Sequence, residues 1–183
     1  ANLVPGGLSD LSRFELMRMT IARSGYFFNS MIGDFGWVGF KSPYAVIVLW
    51  TALIGLVLAL ALAVSSRRRA VVLLLIAATT TLLPLLIEYR TMRSLGGVWQ
   101  GRYTLPLAVG VPILGAYLIG DSSIGNRLAR SRLALVVGIA LGVGHVLAFA
   151  QSLRRFSVGN NGAFKYWSNA AWAPPLGALP LTL

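Results

Sequence analysis

The chain has 183 residues, of which 56% are hydrophobic and only 11% charged, and its mean hydropathy is +0.73. These values belong to polytopic membrane proteins and exclude a water-soluble domain, which at this length cannot hide so much apolar surface. The formal net charge of +11 does not signal a nucleic-acid partner, because nearly all Arg and Lys flank apolar runs, where cations meet lipid headgroups.

Residues 1–8 read as a loop, with Pro5, Gly6 and Gly7 as breakers. Ser12-Arg13-Phe14-Glu15 has the form of a capping box, so a helix is expected from there. Phe14, Met17 and Ile21 share one side of it, with Arg13, Arg18 and Arg23 elsewhere. The spacing is amphipathic and predicts a helix on the membrane surface; a juxtamembrane helix packed on the bundle is the competing reading. Gly25–Ser42 is rich in aromatics and glycine and reads as an irregular interfacial stretch. Residues 1–42 are thus expected to form an extracytoplasmic or interfacial segment.

Four apolar runs follow: Tyr44–Val64, Ala70–Ile87, Leu105–Ile119 and Leu133–Ala150. About 20 apolar residues cross a hydrocarbon core of roughly 30 Å. The runs are continuous rather than alternating, which predicts helices and not a barrel. Pro43 opens the first span, where a missing N–H is harmless. Ser65–Arg69 is a tight turn between the first two spans, and its three arginines mark a cytoplasmic side. Pro84 predicts a local kink. The third run is short and carries Pro106 and Pro112, so it is expected to be kinked or only partly inserted. Asp121–Arg132 returns to the cytoplasmic side. The fourth run contains Gly138 and Gly142 at GxxxG spacing, plus Gly144, read as close packing within the bundle in preference to dimerisation. The fold class expected is an all-α polytopic transmembrane bundle of about four spans, residues 43–153, with an amphipathic interfacial helix, in a single membrane domain 1–183. Residues 154–183 form an extracytoplasmic tail that ends in the apolar Ala178–Leu183, like the start of another helix. The chain is read as a piece of a longer membrane protein, whose N-terminal region would supply partner helices.

With Arg67–Arg69 inside, the N-terminal segment, the Glu88–Tyr103 connection and the tail all lie outside. A raw count of cations runs against this orientation. The inner ones, however, are packed into short turns, where the positive-inside rule applies best. The outer segments hold most of the chemistry. Glu88–Arg93 and Gly96–Tyr103 contain Arg90, Arg93 and Arg102, whose planar donor forks match phosphate oxygens. Gly96, Gly97 and Gly101 let backbone approach a ligand. Trp99, Gln100 and Tyr103 are placed to line a sugar or lipid path. Simple anchoring to bilayer phosphates, with Glu88 paired to Arg90 or Arg93, is the competing reading. Asp34 and Glu88 are the outer acids close to a span and the candidates for a general base, with salt-bridge roles as the alternative. His145 is an ionisable group deep in the fourth run; a neutral imidazole bonded to a neighbouring helix is its plain reading. There is no HExxH, Walker loop, CxxC or GxSxG, so no metal and no cofactor is expected.

Gln100-Gly101-Arg102-Tyr103-Thr104-Leu105-Pro106, a QGRY-x-LP motif opening a transmembrane helix, resembles a bacterial polytopic membrane family of unknown function that is grouped with the GT-C glycosyltransferases. Phe35-Gly36-Trp37, running to Pro43, is similar to that family's FGW…P segment. Trp172-Ala173-Pro174-Pro175-Leu176-Gly177 is similar to its W-x-PP ending. The resemblance covers the C-terminal half of a typical member and implies an extracytoplasmic active face in a bacterial plasma membrane and a polyprenyl-phosphate-linked sugar as donor. It also implies that the catalytic acid lies in a first outer loop upstream of this chain. Where relatives often carry an acid after the tryptophan, this chain has Gly39 and Phe40. The resulting reading is the C-terminal membrane portion of a GT-C-like glycosyltransferase for cell-envelope glycans. Arg90, Arg93 and Arg102 would hold the donor phosphate. The alternative is a non-catalytic membrane scaffold or lipid-binding module.

Overall fold

The computed structural model describes residues 8, 10–35, 40–159, 162, 163, 165 and 172, with the backbone alone at 34, 35, 40 and 133. The expectations for residues 1–7, for Gly36–Gly39 and for most of the tail, including Pro174-Pro175, fall outside them. The chain divides into two compact units: Ala1–Ile32 with Ile54–Asn126, and Gly33–Leu53 with Arg127–Leu183.

The fold is an all-α polytopic membrane bundle. Helices α1 (Arg13–Ala22) and α2 (Ser24–Ile32) precede a two-residue antiparallel pair, β1 (Asp34–Phe35) and β2 (Phe40–Lys41). Then come α3 (Tyr44–Val64), α4 (Arg67–Leu95), a 3₁₀ turn (Gly101–Tyr103), α5 (Leu105–Ala108), α6 (Gly110–Gly120), α7 (Ser123–Arg130) and α8 (Leu133–Val158). Helices α3, α4 and α8 are each long and apolar enough to cross a membrane, and α5–α6 with α7 makes a fourth, broken candidate, bent by 95°. Leu75, Leu82 and Ile113 are each more than 60% exposed. Water would penalise that exposure at about 25 cal/mol per Å², whereas lipid does not.

In the first unit α1 begins as expected. The Ser12 hydroxyl accepts from the Glu15 N–H at 3.2 Å, and the Glu15 carboxylate accepts from the Ser12 N–H at 2.8 Å. The face that packs is not the apolar stripe, however. Leu16 and Thr20 are buried, while Phe14, Met17 and Ile21 point away from the protein, at 68%, 45% and 56% exposure. The stretch from Gly25 is not irregular through Ile32, because Phe27 and Ser30, one turn apart, bury together and make α2 a helix.

The connection expected from Glu88 to Tyr103 is helical as far as Leu95. Glu88 and Met92, four residues apart, bury on one face of α4, and the helix stops only at Gly96, whose φ of 73° suits glycine. At its other end α4 already includes Arg67–Arg69, leaving Ser65-Ser66 as the turn. Arg69 forms an ion pair with Asp121 just after α6, so the start of α4 and the end of α6 share one end of this unit, opposite Glu88–Leu95. Pro84 lies inside α4, which runs on past it.

The third run is interrupted, as expected. Pro106 sits in the first turn of α5 and Pro112 in that of α6. Pro112 has no N–H to give the Ala108 carbonyl, which is where the helix breaks. Gly115 packs against Val57 and Ala61 of α3.

In the second unit Ser42 N–H donates to the Gly33 carbonyl at 2.7 Å, closing the β1–β2 connection onto the start of α3. Helix α8 runs eight residues beyond the expected Ala150, to Val158. Gly144 meets Leu49 of α3, but a Cβ at Gly138 or Gly142 would find open space, so the GxxxG pair does not pack within the described residues. The partner expected for His145 on a neighbouring helix is not a hydrogen-bonding one. Its Nδ1 lies 2.9 Å from the Leu141 carbonyl of its own helix, and its ring meets Trp50 of α3 edge-on at 5.5 Å.

Candidate functional site

One acid organises the end of the first unit where α4 terminates. Glu88 is completely buried, a position that a carboxylate holds only with partners. Its Oε1 lies 3.0 Å from Nε of Arg23, and its Oε2 accepts the Trp99 backbone N–H at 2.9 Å. Arg23 occupies the joint between α1 and α2. It also donates from Nη2 to the Gly97 carbonyl at 3.1 Å, and its guanidinium lies over the rings of Tyr26, at 5.2 Å, and Phe27. The pairing of Glu88 with Arg90 or Arg93 is therefore corrected. In a helix the residue two positions on faces the other way, and Arg90 and Arg93 both point outward, exposed.

The next residues are docked on α2. Gly101 N–H donates to the Ser30 hydroxyl at 2.8 Å, and that hydroxyl donates to the Phe27 carbonyl at 3.1 Å. A Cβ at Gly101 would run into the Phe27 carbonyl oxygen and the Met31 amide nitrogen. A Cβ at Gly97 would come within 2.6 Å of the Arg23 guanidinium carbon. The approach that these glycines permit is thus to the protein's own α2 and Arg23, whereas the sequence pointed to a ligand. Trp99 donates from Nε1 to the buried Thr104 hydroxyl at 3.2 Å and meets Tyr103 edge-on at 5.5 Å.

The candidate residues divide by what they touch. Arg93 gives Nη2 to the Leu11 carbonyl at 2.7 Å, which ties the entry of α1 to α4. Arg90 is exposed on α4. Arg102 is exposed with its guanidinium 5.4 Å from the Tyr103 ring, and Tyr103 is itself 52% exposed. Trp99 and Gln100 are half-buried. Asp34 lies in β1, paired across to Lys41, and its side chain is outside the described residues. Sequence reasoning missed Arg23, Phe27, Ser30 and Thr104. Their signal was faint: a buried acid requires a cation, and the nearest in sequence was not the one used. Among the described residues no cluster of His, Asp and Glu suits a metal ion.

Bilayer-length apolar helices, a charge-bearing turn at one end and a polar, aromatic cap at the other define a polytopic integral membrane protein. The chain belongs to the family described as predicted membrane protein DUF2142, which matches residues 8–111, more than half its length and all of the Arg23–Glu88–Gly101 arrangement. No curated protein and no solved structure matches it.

Proposed function

We propose that this chain is the membrane portion of a GT-C-like glycosyltransferase that takes a sugar from a polyprenyl-phosphate carrier on the extracytoplasmic face of a bacterial plasma membrane. The observation that carries the reading is the docked Gly97–Tyr103 segment, which leaves Arg102 and Tyr103 exposed beside each other directly after an immobilised glycine. A guanidinium next to an aromatic ring at the end of a span suits a phosphate joined to a sugar. Arg90 adds a second exposed cation on α4. Arg93 has one donor committed to Leu11 and contributes with those that remain. In this reading Glu88 is not the base, since one oxygen accepts the Trp99 N–H, the other faces Arg23 at 3.0 Å, and it has no exposure.

Arg102→Ala in the intact protein should lower transfer from a polyprenyl-linked donor about tenfold or more, the scale of a lost charge-assisted phosphate contact. Unchanged transfer at equal expression would remove Arg102 from the donor site. A second reading, a lipid-binding module without catalysis, is favoured by one observation. Among the described acids, Glu15, Glu88 and Asp121 are engaged by partners, and Asp10 also makes an interaction. It expects headgroup binding without turnover.

A further inference from the structure

Residues 96–100 have no regular secondary structure, yet they are held at several points. The Gly97 carbonyl is taken by Arg23, the Trp99 N–H by Glu88 and the Gly101 N–H by Ser30. Two of those three contacts go to one ion pair, formed between the α1–α2 joint and α4. Glu88 is completely buried and Arg23 only about one-third exposed, at 35%, so the pair is not a solvated surface contact. Arg23 reaches a carboxylate and a carbonyl at once, which a planar fork does and a single ammonium does not. The direction in which Arg102 and Tyr103 leave the protein is set by where Gly101 sits, since they follow it in the same turn.

We infer that Arg23 and Glu88 are positioning residues: their ion pair latches Gly97–Tyr103 onto α2 and so holds Arg102 and Tyr103 ready for a headgroup. The identity of the ligand rests on the function proposed above; the latch itself does not. Neither residue touches the ligand. They act through the segment, so loosening the latch weakens binding by the same route as removing Arg102.

The experiment uses the full chain in detergent micelles, with hydrogen exchange of residues 97–103 followed by mass spectrometry and with farnesyl phosphate as the binding probe. Arg23→Lys keeps the charge and loses the fork. It should speed exchange across 97–103 about tenfold or more while the α4 core around Leu73 stays protected. Glu88→Gln keeps an acceptor for Trp99 N–H and should shift exchange in the same direction by less. Arg102→Ala should leave exchange unchanged and weaken farnesyl phosphate binding. Arg23→Lys should weaken it to a similar degree, and the double variant Arg23→Lys/Arg102→Ala should lose less than the two single losses combined, because both act on the Arg102 contact. A purely structural role would not produce that non-additivity. Unchanged exchange in both latch variants overturns the inference, as does faster exchange with undiminished binding. Failure of the unaltered chain to bind farnesyl phosphate overturns the headgroup reading instead, and the exchange comparison alone then decides the latch.

Discussion

The Gly96–Thr104 segment and helix α8 use glycine in opposite ways. At Gly97 and Gly101 an added methyl group meets Arg23 or the backbone of α2, so the missing side chain is what allows docking. At Gly138 and Gly142 an added methyl meets nothing, although these two carry the more familiar motif. The contrast teaches that a glycine pattern has no meaning apart from its neighbours. GxxxG on an apolar helix drew attention, while the glycines that hold the fold stood in a loop that looked built for a ligand.

The largest test of this contrast is Glu88→Ala. It leaves Arg23 without its carboxylate and the Trp99 N–H without an acceptor, and should destabilise the cap by about 3 kcal/mol, the lower end for a broken buried pair because Arg23 is partly exposed. Thermal unfolding in detergent measures it. Gly101→Ala should follow at about 2–3 kcal/mol, since the obstacle is backbone that cannot step aside. Gly97→Ala should cost less than Gly101→Ala, because the obstacle there is the flexible end of Arg23. Equal effects at the two sites would mean that α2 yields as easily as a side chain does. Gly138→Ala and Gly142→Ala should stay within about 1 kcal/mol of the unaltered chain, with helix propensity favouring alanine. A large loss there would show that another helix covers this face.

The smallest effect belongs to the α1 cap. Hydrogen bonding with the Ser12 side chain and then its backbone holds the Glu15 carboxyl below glutamate's ordinary pKa. A carboxyl lowered in the folded state adds stability that is present above its unfolded pKa and lost as the pH falls through the folded one. Acidification past the ordinary glutamate range should therefore loosen the first turn of α1, read as its amide protection corrected for intrinsic exchange. Glu15→Gln should flatten that response.

Hydropathy located the spanning helices because lipid demands long apolar runs whatever their neighbours. The capping box of α1 was legible for a similar reason, being local to four residues. The ends of α4 and α8 were not. Arg67–Arg69, Glu88–Leu95 and Gln151–Val158 are polar enough to read as turn, loop or tail, yet each continues a helix already nucleated, which adds a hydrogen bond per residue. The protein-facing side of α1 was not legible, because Leu16 and Thr20 lie off the Phe14–Met17–Ile21 stripe that hydropathy picks out, and in a membrane protein the most apolar face need not be the packed one. The choice of Arg23 by Glu88 is a contact across 65 positions that no spacing rule reports. Had Glu88–Leu95 been taken as helical, the i,i+2 spacing would have ruled out Arg90 as its partner.

The broken third span has a consequence for the lipid around it. The four residues of α5, the linking Val109 and the eleven of α6 reach about 24 Å at ~1.5 Å per residue, short of the roughly 30 Å hydrocarbon thickness. The 95° turn into α7 prevents the helix from making up the difference. Crossing the membrane on this segment alone would leave a hydrophobic mismatch of several ångströms, to be met by bilayer thinning beside α6.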